Sequence, residues 1–268
     1  VLYIKSNKTL LRKGKDGNYD IPCFSDFPME KPRLKMKAYY LFSIDDRGYY
    51  YVTEMVQGEE NGYEFCPTSV FRNLKPMYQA FAGITATQIH RFKESRKFCG
   101  RCGHVMEDSK TERALVCPFC GQVEYPKISP AVIVAVTDGD RLLMSRYRVS
   151  HNPYRSYALI AGFVEIGETF EETVHREVME EVGLRVKNIR YYKSQPWAFS
   201  DTEMIGFFAE LDGDDTITLQ EDELSEAGWF HRSEIPDETS MNSIGSELKM
   251  VFKYGSMEAF LAQTSSQK

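Results

Sequence analysis

The chain has 268 residues, 42% of them hydrophobic and 13% aromatic, with a formal net charge of −6. That length and composition suit one large or two small domains with real cores. The acidic balance excludes a non-specific nucleic-acid binder, which needs a basic face, and the absence of a run of about 18 apolar residues excludes a helical membrane span.

An acidic chain can still act on a phosphate-bearing substrate, because a metal ion bridges acid to acid. The opening VLYIKSNKTL lacks a signal-peptide pattern, and the missing initiator Met suggests a processed or trimmed start. Residues 1–94 are rich in Tyr, Phe and Lys and read as a small α+β domain without a catalytic motif. Within them MKAYYLFSIDDRGYYYVTEM predicts two strands joined by a turn at Asp45-Asp46-Arg47-Gly48. FRNLKPMYQAFAGITATQIHRFKES predicts a helix with a kink at Pro76.

Residues 95–127 hold Cys99, Cys102, Cys117 and Cys120 in the spacing C-x2-C-x14-C-x2-C. Two turns each present two thiolates, which together close a tetrahedral Zn2+ shell and leave no position for water, so the zinc is structural. Gly103 and Gly121 let backbone N–H groups turn towards sulfur. The alternative is four ordinary buried or disulfide cysteines. Such a pattern in a chain this long points to a reducing compartment, hence a cytoplasmic protein. Cys23 and Cys66 read as plain core or surface residues.

From residue 128 to 268 the pattern changes again. AVIVAVTDGDRLLMSR predicts a strand, an Asp-Gly-Asp turn and a second strand. SYALIAGFVE predicts an apolar strand interrupted near Gly162. RVKNIRYYKSQPW, MIGFFAEL and AGWFHR predict further strands, IGSELKMVFKYGSMEAFLAQ a helical region, and TSSQK a frayed tail.

The segment GETFEETVHREVMEEVGL lies among these strands. Thr169 and Glu172 fit a capping box, so a helix is expected to start at Phe170. Phe170, Val174, Val178 and Val182 form an apolar stripe, with Glu177 and Glu181 along one edge and Glu180 one step further round. Carboxylates crowded at the border of a core are costly unless paired. A divalent cation, Mg2+ or Mn2+, resolves this with hard oxygen ligands. The alternative is an acidic solvated face.

Gly162, Glu168 and Arg176 to Leu184 reproduce G-x5-E-x7-R-E-U-x-E-E-x-G-U, U being aliphatic, at all seven fixed and both aliphatic positions. The chain thereby resembles the Nudix hydrolases. The resemblance implies an α/β/α sandwich around a mixed sheet and hydrolysis of a nucleoside diphosphate linked to another moiety. It implies Glu177, Glu180, Glu181 and the Ala161 carbonyl as ligands of Mg2+ or Mn2+, Glu181 as general base, and Arg176 orienting Glu168.

The zinc ribbon before that box and SQPWAFS after it resemble the NADH pyrophosphatase (NudC-type) subfamily, whose marker is S-Q-P-W-P-F-P-x-S. Ser194, Gln195, Pro196, Trp197 and Phe199 match, whereas Ala198, Ser200 and Thr202 depart from it, and losing two prolines loosens the loop. The marker region Gln195–Thr202, including Asp201, is the expected substrate loop. Trp197 and Phe199 could stack on base or nicotinamide rings, and Gln195 could hydrogen-bond an amide. The alternative for Trp197 is a buried structural indole. The resemblance adds Tyr125 and Phe163 to the pocket, Glu223 as a later metal ligand with Glu226 as its competitor, and Gly245 as a backbone contact.

The function implied is cleavage of NADH, and of NAD+ less specifically, to nicotinamide mononucleotide and AMP, with removal of NAD caps from RNA. Basic HRFKESRKF is a local patch that could serve RNA, and a homodimer is implied. Rival readings are a Nudix hydrolase of ADP-ribose or a diadenosine polyphosphate, a catalytically silent nucleotide-sensing regulator, and a zinc-ribbon nucleic-acid adaptor.

Overall fold

The structure, a computed structural model, describes residues 1–14, 17–26, 38–52, 62–148, 157–238 and 241–265. They form two units, Val1–Lys127 with Ala198–Asp201, and Ile128–Trp197 with Thr202–Lys268.

The first unit begins with β1 (Leu2–Lys5), β2 (Lys8–Lys13), β3 (Tyr19–Asp20), β4 (Ala38–Ile44), β5 (Arg47–Val52) and β6 (Tyr63–Pro67). They make a sheet in the order β3-β2-β1-β5-β4, with β6 also on β2. β1 runs parallel to β5, and the other pairs are antiparallel. The β4–β5 turn is tighter than the sequence predicts. Asp45 takes a left-handed φ of 49°, which Asp tolerates, and Arg47 and Gly48 already belong to β5. The flanking Met36, Lys37 and Thr53–Met55 of that prediction lie outside the described residues.

Helix α1 (Met77–Ser95) packs Ala82, Ala86 and Ile89 into a core with Leu2, Leu11, Tyr49 and Phe71. Pro76 does not kink this helix; it is the N-cap, where a missing N–H costs nothing. β7 (Glu107–Asp108), β8 (Leu115–Val116) and β9 (Val123–Glu124) form the ribbon's three-stranded sheet.

The second unit is built on β10 (Ser129–Asp138), β11 (Arg141–Tyr147), β12 (Ile160–Phe163), β13 (Val186–Trp197), β14 (Thr202–Leu211) and β15 (Leu224–His231). The strand order is β13-β14-β10-β11-β15, with β12 also on β10. β10 is parallel to β14 and antiparallel to β11 and β12, which makes the sheet mixed. β12 runs through Gly162 instead of breaking there, and Ala158 makes only an isolated bridge to Ser145.

Both faces of the sheet are apolar because helices cover both. Val132, Val134, Val136, Ile205 and Phe207 face helix α2 (Phe170–Val182). Ala135, Leu142 and Met144 face α3 (Ile244–Tyr254) together with Phe260 of α4 (Met257–Ser265). This is the expected α/β/α arrangement. Gly255, with φ 87°, divides the predicted C-terminal helical region in two, and Thr264 and Ser265 of the predicted tail still belong to α4. No helix among the described residues is long and apolar enough to cross a membrane.

Candidate functional site

Helix α2 begins where its cap dictates. The Thr169 hydroxyl accepts from the Glu172 N–H at 3.2 Å, and the Glu172 carboxylate accepts from the Thr169 N–H at 2.8 Å. Val174, Val178 and Val182 are fully buried, as their spacing demands. Phe170 corrects the predicted stripe. It is 41% exposed, and Thr173 takes the inner place in the first turn. The register then carries Glu181 inward, to 1% exposure.

Gly162 leaves the room that Glu177 uses, since a Cβ there would lie 1.9 Å from its carboxylate. Arg176 ties the cluster together. Its Nε and Nη2 grip Glu168 at 2.6 and 2.9 Å, and Nη1 donates to Glu177 at 2.8 Å and Glu180 at 3.1 Å. Nη2 also donates to the Phe163 carbonyl at 2.9 Å, so helix and β12 are locked in register. The guanidinium, then the Glu165 N–H, hold Glu168 down at about 2.

Burial pushes Glu177 up, against the pull of Arg176. Burial pushes Glu181 up to about 8, assisted by the charges of Glu177 and Glu223, although the Ala161 N–H donates to it. Glu181 Oε2 is buried with no hydrogen-bond partner, an arrangement that costs on the order of 1–3 kcal/mol or more if nothing fills it.

Glu223 is exposed on the turn before β15, near enough for its charge to act on Glu177 and Glu181. Its competitor Glu226 is engaged elsewhere, paired with Arg146 at 3.1 Å and accepting from the Tyr157 hydroxyl. Tyr157 packs with the core under α3, so Glu226 belongs to the face away from α2.

Tyr147 is a neighbour that sequence reasoning missed. It packs with the core under α2, and burial followed by the charges of Glu181 and Glu223 raises its hydroxyl pKa. A register shift between Arg146 and Tyr147 brings it opposite Leu224, beside Glu223. Its only signal in sequence is a tyrosine at the end of β11, just after the apolar run Leu142–Met144.

The four ribbon cysteines are free thiols whose ligand atoms lie within 4.8 Å of one another. Among the described residues no other His, Cys, Asp or Glu group of three or more closes to that limit. The Sγ separations are 3.6 Å for Cys99–Cys120, 3.5 Å for Cys102–Cys117 and 3.4 Å for Cys102–Cys120. A zinc tetrahedron with bonds of about 2.3 Å has edges of roughly 3.8 Å, whereas a disulfide is about 2.05 Å; the donor set therefore fits structural Zn2+. The two knuckles repeat. Gly103 and Gly121, at φ 77° and 74°, donate to the Cys99 and Cys117 carbonyls at 2.9 and 3.0 Å.

The marker loop is divided. Gln195 Oε1 accepts from the Ile244 N–H at 2.7 Å, so this side chain caps the start of α3. Gly245 stands in the same first turn, where a Cβ would approach Ile133 to 3.0 Å. Trp197 and Thr202 face each other where β13 and β14 end. Pro196 and Ser200 are exposed. Ala198 is buried in the core of the first unit, with Phe199 packed beside it and the Arg72 guanidinium 4.4 Å from that ring's centre. Arg91 pairs with Asp201, left-handed at φ 57°, and donates to the Ala198 carbonyl. Those bonds do the stiffening that the marker's prolines would do. Phe163 and Tyr125 present exposed rings, 54% and 59% accessible.

The NUDIX domain family model matches residues 127–248, and the NADH pyrophosphatase zinc ribbon domain model matches residues 94–125. The chain is 46% identical over 144 residues to the NAD-capped RNA hydrolase NudC of Haemophilus influenzae (strain PittGG), covering 53% of this chain and 54% of that one. It is 47% identical over 161 residues to the protein of the same name from Chromobacterium violaceum, covering 60% of each. The chain thus spans about half the length of the curated relatives it matches, rising to 60% for the second. Among solved structures, a NUDIX hydrolase from Nitrosomonas europaea aligns at a TM-score of 0.50 and 26% identity, covering 59% of this chain and 90% of that one. With the signature helix, the mixed sheet between helices and the four-cysteine ribbon, these likenesses identify residues 127–248 as a Nudix domain, preceded over residues 94–125 by a zinc ribbon of the NADH pyrophosphatase type.

Proposed function

We propose that the chain is a divalent-cation-dependent pyrophosphohydrolase that cleaves NADH, and NAD+ less specifically, to nicotinamide mononucleotide and AMP, and removes the same dinucleotide cap from RNA 5′ ends. The observation that carries this reading is Glu181, fully buried beside Glu177 with one carboxylate oxygen unpartnered. The names of the NudC relatives supply the substrate.

The family implies a divalent cation, and the donor chemistry fits one: hard carboxylate oxygens, one of them orphaned in a dry place. Glu177, Glu180, Glu181, Glu223 and the Ala161 carbonyl would hold Mg2+ or Mn2+. Bound there, the cation neutralises charge on the pyrophosphate and on the departing phosphate.

The remaining work belongs to the chain. The Glu181 carboxylate accepts the proton of the attacking water as water oxygen bonds to phosphorus and the P–O bridge breaks. Arg176 is a positioning residue that holds Glu168, Glu177 and Glu180 in one geometry. Phe163 and Trp197 offer ring faces to the adenine or nicotinamide. The free thiols suit a reducing compartment such as the cytoplasm, and a homodimer is part of the same reading.

The altered loop favours a second reading. Gln195 is occupied by the α3 backbone and Ala198 by the first unit's core, so ADP-ribose or a diadenosine polyphosphate is the alternative substrate. Turnover of equimolar NADH, NAD+ and ADP-ribose decides. NADH is expected to be cleaved fastest; ADP-ribose cleaved with NADH untouched would move the specificity to the alternative.

Gly162→Ala tests the site's shape. The new Cβ must displace the Glu177 carboxylate, so kcat is expected to fall at least about tenfold, equivalent to about 1.4 kcal/mol, while the melting temperature changes little. Unchanged kcat in this variant would remove Glu177 from the site.

A further inference from the structure

The first unit contains a cavity of about 820 Å3 between β1, β5 and α1, lined wholly by residues of that unit. Its size is that of a small-molecule site. Its charge runs against that of the chain. Lys5, Arg91, Arg96 and Lys127 line it against Glu94 and Asp201. Lys97 holds Glu94 at 2.6 Å, and Arg91 holds Asp201. Lys5 and Lys127 are exposed and have no carboxylate partner among the described residues.

Aromatic and neutral polar groups complete the wall. Tyr3 and the exposed Tyr125 offer rings. His90 is 6% exposed, bonds the Tyr51 hydroxyl at 2.9 Å through Nδ1, and has no partner for its second ring nitrogen among the described residues. Burial lowers its pKa, so the imidazole stays neutral and offers an uncharged hydrogen-bonding edge. Cations that attract phosphate, tyrosines that stack and a neutral edge that can meet a base or sugar hydroxyl are the elements of single-strand recognition.

From this arrangement we infer that the cavity binds a nucleoside phosphate unit, its phosphate on Lys5 and Lys127 and its base against tyrosine. The occupant's chemistry is shared by a free mononucleotide and by a nucleotide of an RNA strand; the strand follows if the proposed action on capped RNA holds. The cavity then gives an acidic protein a local grip on RNA that free NADH does not need.

The test is fluorescence anisotropy with a labelled, 5′-phosphorylated single-stranded RNA octamer and, separately, with AMP, without added Mg2+ or Mn2+. The Lys5→Glu/Lys127→Glu variant is expected to bind the octamer at least about tenfold more weakly. Its salt slope should fall by about 1.4, at roughly 0.7 per phosphate contact on a single strand. Lys5→Arg/Lys127→Arg should retain the affinity. A gain of the octamer over AMP assigns the site to the strand; equal affinity with equal sensitivity assigns it to free nucleotide. Unchanged affinity and slope for both probes in the charge-reversed protein would overturn the inference. NADH turnover in the same variant separates the two claims. Turnover retained with binding lost supports both, whereas binding lost in a protein that never cleaves NADH sinks only the proposed activity.

Discussion

Glu181→Gln is expected to lower NADH turnover by about 10²- to 10⁴-fold, the usual contribution of a positioned general base, and at alkaline pH to raise the melting temperature. The two effects share one cause. Glu181 is buried beside Glu177 and Glu223, and its carboxyl is pushed up to about 8. A carboxyl raised in the folded state keeps its proton there after the unfolded chain has lost it near pH 4.3. It therefore stabilises most at low pH, and that contribution is lost as pH rises towards 8. Glutamine mimics the protonated form in both states, so wild type and variant should melt together only near pH 4 in the absence of divalent cation, with the variant pulling ahead as pH rises from there. By pH 9 the variant should be the more stable. Each kcal/mol appears as about 2–4 °C in a chain of this size.

Added Mg2+ or Mn2+ should reverse the order, because a cation favours the ionised carboxylate. At a hundred times its Kd it stabilises wild type by about 2.7 kcal/mol, with little gain for the variant. Cation affinity should accordingly rise with pH up to about 8, with release of a proton that calorimetry in two buffers detects. A variant that is less stable than wild type at pH 9 and still turns over NADH would show that Glu181 is an ordinary buried acid.

The second large effect is at the ribbon. Its own core is Phe92, Cys99, Met106, Leu115 and Cys117, too small to hold the segment by apolar burial alone. Structural zinc in peptides of this kind supplies on the order of 10 kcal/mol. Purified protein should hold one zinc per chain, and Cys117→Ser should lose nearly all of it. In the variant the Gly103 and Gly121 amides, which close the knuckles at 2.9 and 3.0 Å, should lose hydrogen-exchange protection by several orders of magnitude. Full protection in a zinc-free protein would mean that the thiols are merely buried.

What could be read from sequence depended on how local the cause was. The start of α2 is written in Thr169 and Glu172, three residues apart, and the zinc site in the chemistry of four thiols. Continuous apolar runs mark β10 and β11, because helices cover both faces of the sheet they lie in. Phe170 was misjudged because a first-turn residue has its stripe position without a core above it. Tyr147 was invisible because a bulge in the distant partner strand β15, where the pairing skips Ser225, sets it opposite Leu224 and beside Glu223. Gln195 and Asp201 were read as substrate contacts, yet their partners here are the Ile244 N–H and Arg91. Those partners lie far along the chain, where no spacing rule reaches.

The most direct test of the account is identification of the products formed from NADH with Mg2+ or Mn2+ by zinc-loaded wild type and by Glu181→Gln. Reduced nicotinamide mononucleotide and AMP in equal amounts, formed by the wild type and nearly absent with the variant, is the predicted result. Equal product formation by both proteins, or intact NADH with the folded, zinc-loaded wild type, would contradict it.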